Sequence, residues 1–252
     1  MTLFQNNANS ALDVPTHPEL EGRRVFVSGV SDGAGEHIAQ GFARQRTRLV
    51  LHSAQPPAMA SGLADLLKPK AASMRLFAAE TGGDIAACER LARAALGAFG
   101  GLDVIVNLIG SAGPGPAGDP FQIEDAVAEA LRPALVLSRA VADHARNSGQ
   151  PATVVHVCLV RSGQGADFAR YALVKSGLEA MAQDQARRWF GHDICVYAFV
   201  RGVEGDLLED APGSDNVVQA HTRFDSALTA IALNAAAGRS RWLNGVTIAV
   251  PA

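Results

Sequence analysis

Seven short runs of apolar and β-branched residues recur along the chain, and most are apolar on both faces: 24–29 (RVFVSG), 48–53 (RLVLHS), 74–79 (MRLFAA), 103–110 (DVIVNLIG), 153–160 (TVVHVCLV), 194–200 (ICVYAFV) and 246–250 (VTIAV). A strand with one wet face alternates apolar and polar residues; a strand covered by helices on both sides does not have to. Between the runs lie stretches with a helical period. The clearest sets Ile85, Cys88, Leu91, Ala92, Ala95, Leu96 and Phe99 on one stripe and stops at Gly100-Gly101. This alternation predicts an α/β chain built on a doubly wound parallel sheet of about seven strands with helices on both faces. There is no internal repeat. Two loop-forming stretches, 113–118 (GPGPAG) and 204–215, follow the fourth and sixth runs. Both fall at the carboxyl edge, where open α/β sheets bind ligands.

A chain of 252 residues fits one domain of this kind. Its 48% hydrophobic content is enough for a buried core, and a net charge of -3 offers no general attraction to nucleic acid or an anionic membrane. Cys88, Cys158 and Cys195 lie far apart with no CxxC, which argues against a disulfide framework and a zinc site and suits a reducing cytoplasm. No apolar run has the length of a membrane span, and the N-terminal segment lacks the charge and hydropathy pattern of a signal peptide. Residues 1–21, polar and Pro-containing, read as an arm that is loose or packs on a neighbouring subunit.

Ser28-Gly29-Val30-Ser31-Asp32-Gly33-Ala34-Gly35 follows the first expected strand and opens a helix. In that context a glycine motif points to a dinucleotide site, with a plain strand-to-helix turn as the alternative: Gly29 can make the tight turn, Gly33 lets the backbone approach a pyrophosphate, and Gly35 permits close helix-to-strand packing. A carboxylate after the second strand would bind an adenosine 2'-hydroxyl and an Arg there a 2'-phosphate. The chain has His52-Ser53-Ala54-Gln55 at that point, with neither. The absent acid leans the reading to NADP over NAD, although Asp32 would repel a 2'-phosphate. Further along, Tyr171 and Lys175 stand four apart in RYALVKSG, which puts phenol and ammonium on one face of a helix.

The glycine turn, Asn107-Leu108-Ile109-Gly110 after the fourth run, the Tyr171/Lys175 pair and Leu243-Asn244-Gly245 before the last run come in an order and at distances that resemble the short-chain dehydrogenase/reductase family, over roughly residues 22 to 252. The resemblance implies a single Rossmann-type dinucleotide-binding and catalytic domain over 22–252. It implies an NADP- or NAD-dependent oxidoreductase interconverting a carbonyl and an alcohol. Tyr171 would protonate the carbonyl oxygen, and Lys175 would favour the ionised phenol and bind cofactor ribose hydroxyls, with Arg170 adding positive charge nearby. Cofactor contacts would come from Ser28, Gly29, Ser31, Asp32, Gly33, Ala34, Ser53, Asn107, Gly110, Lys175 and Gly202. In the family the segment at Asn107 reads Asn-Asn-Ala-Gly, so Leu108 and Ile109 depart from it.

Other departures fall on the chemistry. The family's oxyanion-binding serine, thirteen residues before the Tyr, becomes Cys158 by count or Leu159 by strand pattern, with Ser162 as a third candidate. A family Asn that relays protons to the Lys becomes Ala130. Arg201-Gly202 stands where Pro-Gly is usual, and Asp206 where a Thr often touches the carboxamide. The family also pairs the helices expected at 126–146 and 167–189 across a dimer or tetramer interface. Two readings follow: an active oxidoreductase on a small, apolar carbonyl substrate, or a dehydrogenase-shaped protein that binds nucleotide or serves as an oligomer subunit without efficient chemistry. Nucleotide-sugar epimerisation, which shares the Tyr/Lys pair, needs a separate substrate domain for which this length has no room.

Overall fold

Strands that are buried on both faces need helices above and below, and the computed structural model places them there. It describes residues 15–31, 33–55, 57–110, 120–160, 166–201 and 215–250. The strands are β1 (Arg24–Ser28), β2 (Arg48–Ser53), β3 (Ser73–Ala78), β4 (Val104–Ile109), β5 (Ala152–Cys158), β6 (Ile194–Arg201) and β7 (Thr247–Val250). All pair in parallel, in the order β3-β2-β1-β4-β5-β6-β7. The seven expected runs therefore become seven strands, each within a residue or two of its expected bounds. β4 is buried throughout, whereas the edge strand β3 is half-buried.

The described helices are α1 (Ala34–Arg44), α2 (Pro57–Leu67), α3 (Ile85–Ala98), α4 (Pro120–Ser148), α5 (Ala166–Arg188) and α6 (Asp215–Ala236). One apolar layer joins α1 and α6 to the sheet through Ile38, Phe42, Phe224, Leu228 and Leu233. The other joins α3, α4 and α5 through Leu91, Leu137, Val141, Val174 and Leu178. Glycines set how closely the helices approach. A Cβ on Gly177 of α5 would come within 2.7 Å of the Leu131 side chain of α4. α3 is capped by the Asp84 carboxylate, which accepts from the Ala86 N–H at 3.0 Å, and it ends at the positive-φ pair Gly100 and Gly101. Its stripe is as expected except at Ile85, which is 54% exposed because it is the first residue of the helix and turns off the buried face.

At the opposite edge from the glycine turn, Asp103 clamps the start of β1 to β4. Its carboxylate accepts from the Arg24 backbone N–H at 2.8 Å and from the guanidinium at 3.1 and 2.5 Å. Burial would raise the Asp103 carboxyl, but these bonds outweigh it and hold the group below the usual carboxylate range. The last part of the expected arm packs on the domain. Leu20 is fully buried in the core, the His17 N–H donates to Gln45 Oε1 at 2.7 Å, and Glu19 pairs with Arg239 at 2.7 Å. An apolar Leu within a polar segment is the physical reason. No described helix is long and apolar enough to cross a membrane, and no cluster of metal-ligating side chains occurs among the described residues.

Candidate functional site

The strand register brings four polar side chains into one row. His52 of β2 is level with Ser28 of β1, Ser28 with Asn107 of β4, and Asn107 with His156 of β5. All four are buried, on the face covered by α3, α4 and α5. Each half of the row is hydrogen-bonded. His52 Nδ1 lies 3.2 Å from Ser28 Oγ and accepts from the Gly29 N–H at 3.3 Å, while its Nε2 lies 2.8 Å from the Ala79 carbonyl. These partners fix the neutral tautomer with the proton on Nε2 and make Ser28 the donor. Burial lowers the His52 pKa, against the opposing effect of the Ala79 bond.

The other half continues through the domain. Asn107 Nδ2 donates to His156 Nδ1 at 3.3 Å, His156 Nε2 to Gln185 Oε1 at 2.9 Å, Gln185 Nε2 to Ser138 Oγ at 2.9 Å, and Ser138 Oγ to the Ala134 carbonyl at 2.5 Å. The chain runs in one direction, so each link fixes the next. Complete burial pushes His156 down to about 4, with the Gln185 bond acting the other way. Asn107 Oδ1 alone in this row is buried without a hydrogen-bond partner among the described residues.

Above the row opens a cleft of about 270 Å³. The ends of β1 and β2 and the residues just after them supply Ser28, Gly29, Ser31, His52 and Ala54, and the end of β4 with Gly110 supplies residues 107–110. The turn 81–83 and Glu129, Ala130, Pro133 and Ala134 of α4 complete it. Gly29 has φ +86°, and a Cβ there would stand 2.6 Å from the Leu108 carbonyl oxygen, so β1 can turn beside β4 only with glycine at this position. Gly33, at φ +49°, and Gly110 instead face open space. Pro133 lies inside α4 and has no N–H for the carbonyl four residues back, that of Glu129 on the cleft wall.

The expected site residues divide into three groups. Ser28, Gly29, Ser31, Asn107 and Gly110 line the cleft; Gly33 and Ala34 open α1 beside it; and Ser53 lines a smaller adjoining pocket. Cys158, Tyr171 and Lys175 lie outside the cleft wall. Cys158 ends β5 level with Ile109 of β4, and both share an apolar layer with Tyr171 of α5, which is 3% exposed. Leu159 packs in the layer on the other side of the sheet, so Cys158 is the one of the two that shares the Tyr171 layer. Burial pushes the Cys158 thiol up to about 11, which keeps it protonated and a weak donor rather than a nucleophile. Lys175 follows Tyr171 by one turn; its side chain is 38% exposed and its ammonium lies 3.6 Å from Glu179. Asp32, Ser162, Gly202 and Asp206 lie outside the described residues.

From sequence, His52 stands beside Ser53 at the cofactor end of the second run, but His156 and the residues at 81–83, 129 and 133 carry no mark of the site. Thr81-Gly82-Gly83 carries a turn signal, but the histidines become legible only once the register is known.

A family model described as enoyl-(acyl carrier protein) reductase matches residues 29–232. An uncharacterized oxidoreductase of Mycobacterium tuberculosis is 28% identical over 184 residues, which span 71% of this chain and 66%, just under two thirds, of that protein. Among solved structures, a short-chain dehydrogenase/reductase from Serratia marcescens superimposes with a TM-score of 0.73 at 21% identity, covering 92% of this chain and 98% of the other. The NADH-dependent reductase A1-R', solved in complex with NAD, gives a TM-score of 0.73 at 21% identity over 93% of this chain and 97% of that one. The chain belongs to the short-chain dehydrogenase/reductase family.

The row makes a testable demand on pH. Folded His156 titrates near 4 and the unfolded residue near 6.5, so its contribution is complete above pH 6.5 and is lost as pH falls toward 4. The loss amounts to roughly 3 kcal/mol at about 1.4 kcal/mol per pH unit. Urea unfolding between pH 4.5 and 7.5 should show stability falling with acidity, and His156→Gln should flatten that slope by about one proton. Equal slopes for the two proteins would contradict the neutral, buried histidine.

Proposed function

We propose that this protein is an NAD(P)-dependent oxidoreductase that interconverts a carbonyl and an alcohol, with Tyr171 as the acid/base group and Lys175 as its partner. The observation that carries the reading is the adjacency of two features at one sheet edge. One is a glycine-turned cleft at the ends of β1 and β4; the other is a buried Tyr171 layered with the ends of β4 and β5. The cleft fits a dinucleotide in kind: open space over Gly33 at the start of α1, a polar floor, and an unpartnered acceptor at Asn107. The oxidoreductase names of relatives and the NAD bound to A1-R' support the same assignment.

A bound nicotinamide would supply or accept the hydride. The protein's own residues then have defined tasks. The Gly29 to Ala34 backbone, the Asp32 N–H included, would seat the phosphates with Ser28 and Ser31, and Ser53, Asn107, Gly110 and Gly202 the two ribose ends. Tyr171 would hold at Oη the proton that the substrate oxygen gains on reduction, in a dry layer where a hydrogen bond to a developing oxyanion is strong. Lys175 would exchange Glu179 for a cofactor ribose hydroxyl and lend its charge to the Tyr171 phenol. Cys158 or Ser162 would supply the second oxyanion donor; a thiol does so weakly.

A second reading has its own support. Ala130 lines the cleft wall where the family has a water-holding Asn, so a non-catalytic nucleotide-binding or oligomer-subunit role fits that wall. Tyr171→Phe separates the two. In the oxidoreductase reading it lowers kcat at least about 100-fold on any carbonyl turned over by the wild type, with nucleotide affinity within about twofold. Unchanged turnover would remove Tyr171 from the chemistry, and nucleotide binding by a wild type that turns over no carbonyl in a broad screen would favour the second reading.

We further propose that the protein is a homo-oligomer joined along α4 and α5, where Leu135, Phe168 and Leu173 are each about half exposed. Light scattering should give two or four times the chain mass of 26.2 kDa, and Leu173→Glu should lower it. A monomer at micromolar concentration would contradict this.

A further inference from the structure

Resting on the reading of the cleft as a dinucleotide site, we propose that Glu36 selects against a 2'-phosphate, so that the protein takes a dinucleotide with a free adenosine 2'-hydroxyl, NADH over NADPH. The end of β2 supplies no acid, but the fold does. Beside the cleft, and sharing Ser31 with it, lies a small pocket lined by Ser31, Glu36, Ser53 and Gln55 above Leu51 and Leu76. Ser53 and Gln55 flank Ala54, which lines the main cleft, so the pocket adjoins the end of β2 where an adenosine ribose is read in sheets of this kind. Glu36 reaches it from the first turn of α1, a different element from the one that carries the acid in the usual arrangement.

Size, charge and hydrogen bonding agree. The pocket is about 10 Å³, room for one water-sized group. A hydroxyl fits such a space, whereas a phosphate with its three outer oxygens does not. Among the described residues no Lys or Arg lines either the pocket or the cleft, so none of these side chains offsets a phosphate charge placed beside a carboxylate. A second carboxylate, Asp32, directly follows Ser31 in the sequence. Ser53 Oγ accepts from the Gln55 N–H at 3.1 Å, which turns this hydroxyl into the β2 turn, and the carboxylate lining the pocket is that of Glu36. On this proposal the preference is for NAD, where the missing acid after β2 leaned toward NADP, because the acid comes from α1.

The test is equilibrium titration of the full chain with NADH and with NADPH, followed by nicotinamide fluorescence, in wild type, Glu36→Gln and Glu36→Lys. A carboxylate in the first turn also favours the helix dipole, so the readout is the ratio of the two Kd values, which a merely structural role leaves unchanged. Wild type should bind NADH at least about tenfold more tightly, and added salt should narrow that ratio. Glu36→Gln should reduce it severalfold through tighter NADPH binding, and Glu36→Lys should bring it to unity or below. Equal or tighter NADPH binding by wild type, or a preference unaltered in both variants, overturns the assignment while leaving the oxidoreductase reading standing. Failure of both nucleotides to bind up to millimolar concentration overturns the two together.

Discussion

The site depends on a row of buried polar side chains, His52, Ser28, Asn107 and His156, laid across β2, β1, β4 and β5. Four buried polar groups in an otherwise apolar sheet would be costly unless paired, and each is tied into hydrogen bonds that lead outward. On one side they hold the glycine turn, because His52 accepts from both Ser28 and the Gly29 N–H. On the other they brace Asn107 through Gln185 and Ser138 to the α4 backbone at Ala134, itself on the cleft wall. Each half of the row thus ties one wall of the cleft into the interior, and both sets of bonds require neutral histidines. Burial supplies that condition by lowering both pKa values.

Topology explains why the cleft lies where it does. β1 has β2 on one side and β4 on the other, so chain connections leave it in opposite directions and a gap opens above its carboxyl end. Gly29 and Leu108 then meet at a distance that admits no side chain on residue 29. The apolar layer two residues further along β4 and β5, with Ile109 and Cys158, is where Tyr171 sits, which puts the expected acid/base group in a dry setting next to the polar floor. Two positions expected to depart from the family lie around that setting: Cys158, whose thiol burial keeps protonated, and Ala130, packed against the same layer.

Much of this was legible in the sequence, for identifiable reasons. Runs apolar on both faces can be satisfied only by covered parallel strands, so the sheet and its strands followed from composition and period. The glycine turn was legible because Gly29, Gly33 and Gly35 have steric roles tied to their spacing. Register was not. His52 and His156 look like isolated histidines until pairing sets them level with Ser28 and Asn107, and Glu36 looks like an ordinary first-turn carboxylate until α1 brings it to the end of β2. Leu20 was lost in a polar segment because one buried residue carries no period.

The most direct measurement is a crystal structure of the full chain with NADH. The placement expected there is the pyrophosphate over the backbone from Gly29 to Ala34, the adenosine ribose at the Glu36 and Ser53 pocket, and the nicotinamide extending past Asn107 toward Tyr171. A nucleotide bound elsewhere, or one whose nicotinamide points away from Tyr171, would contradict it.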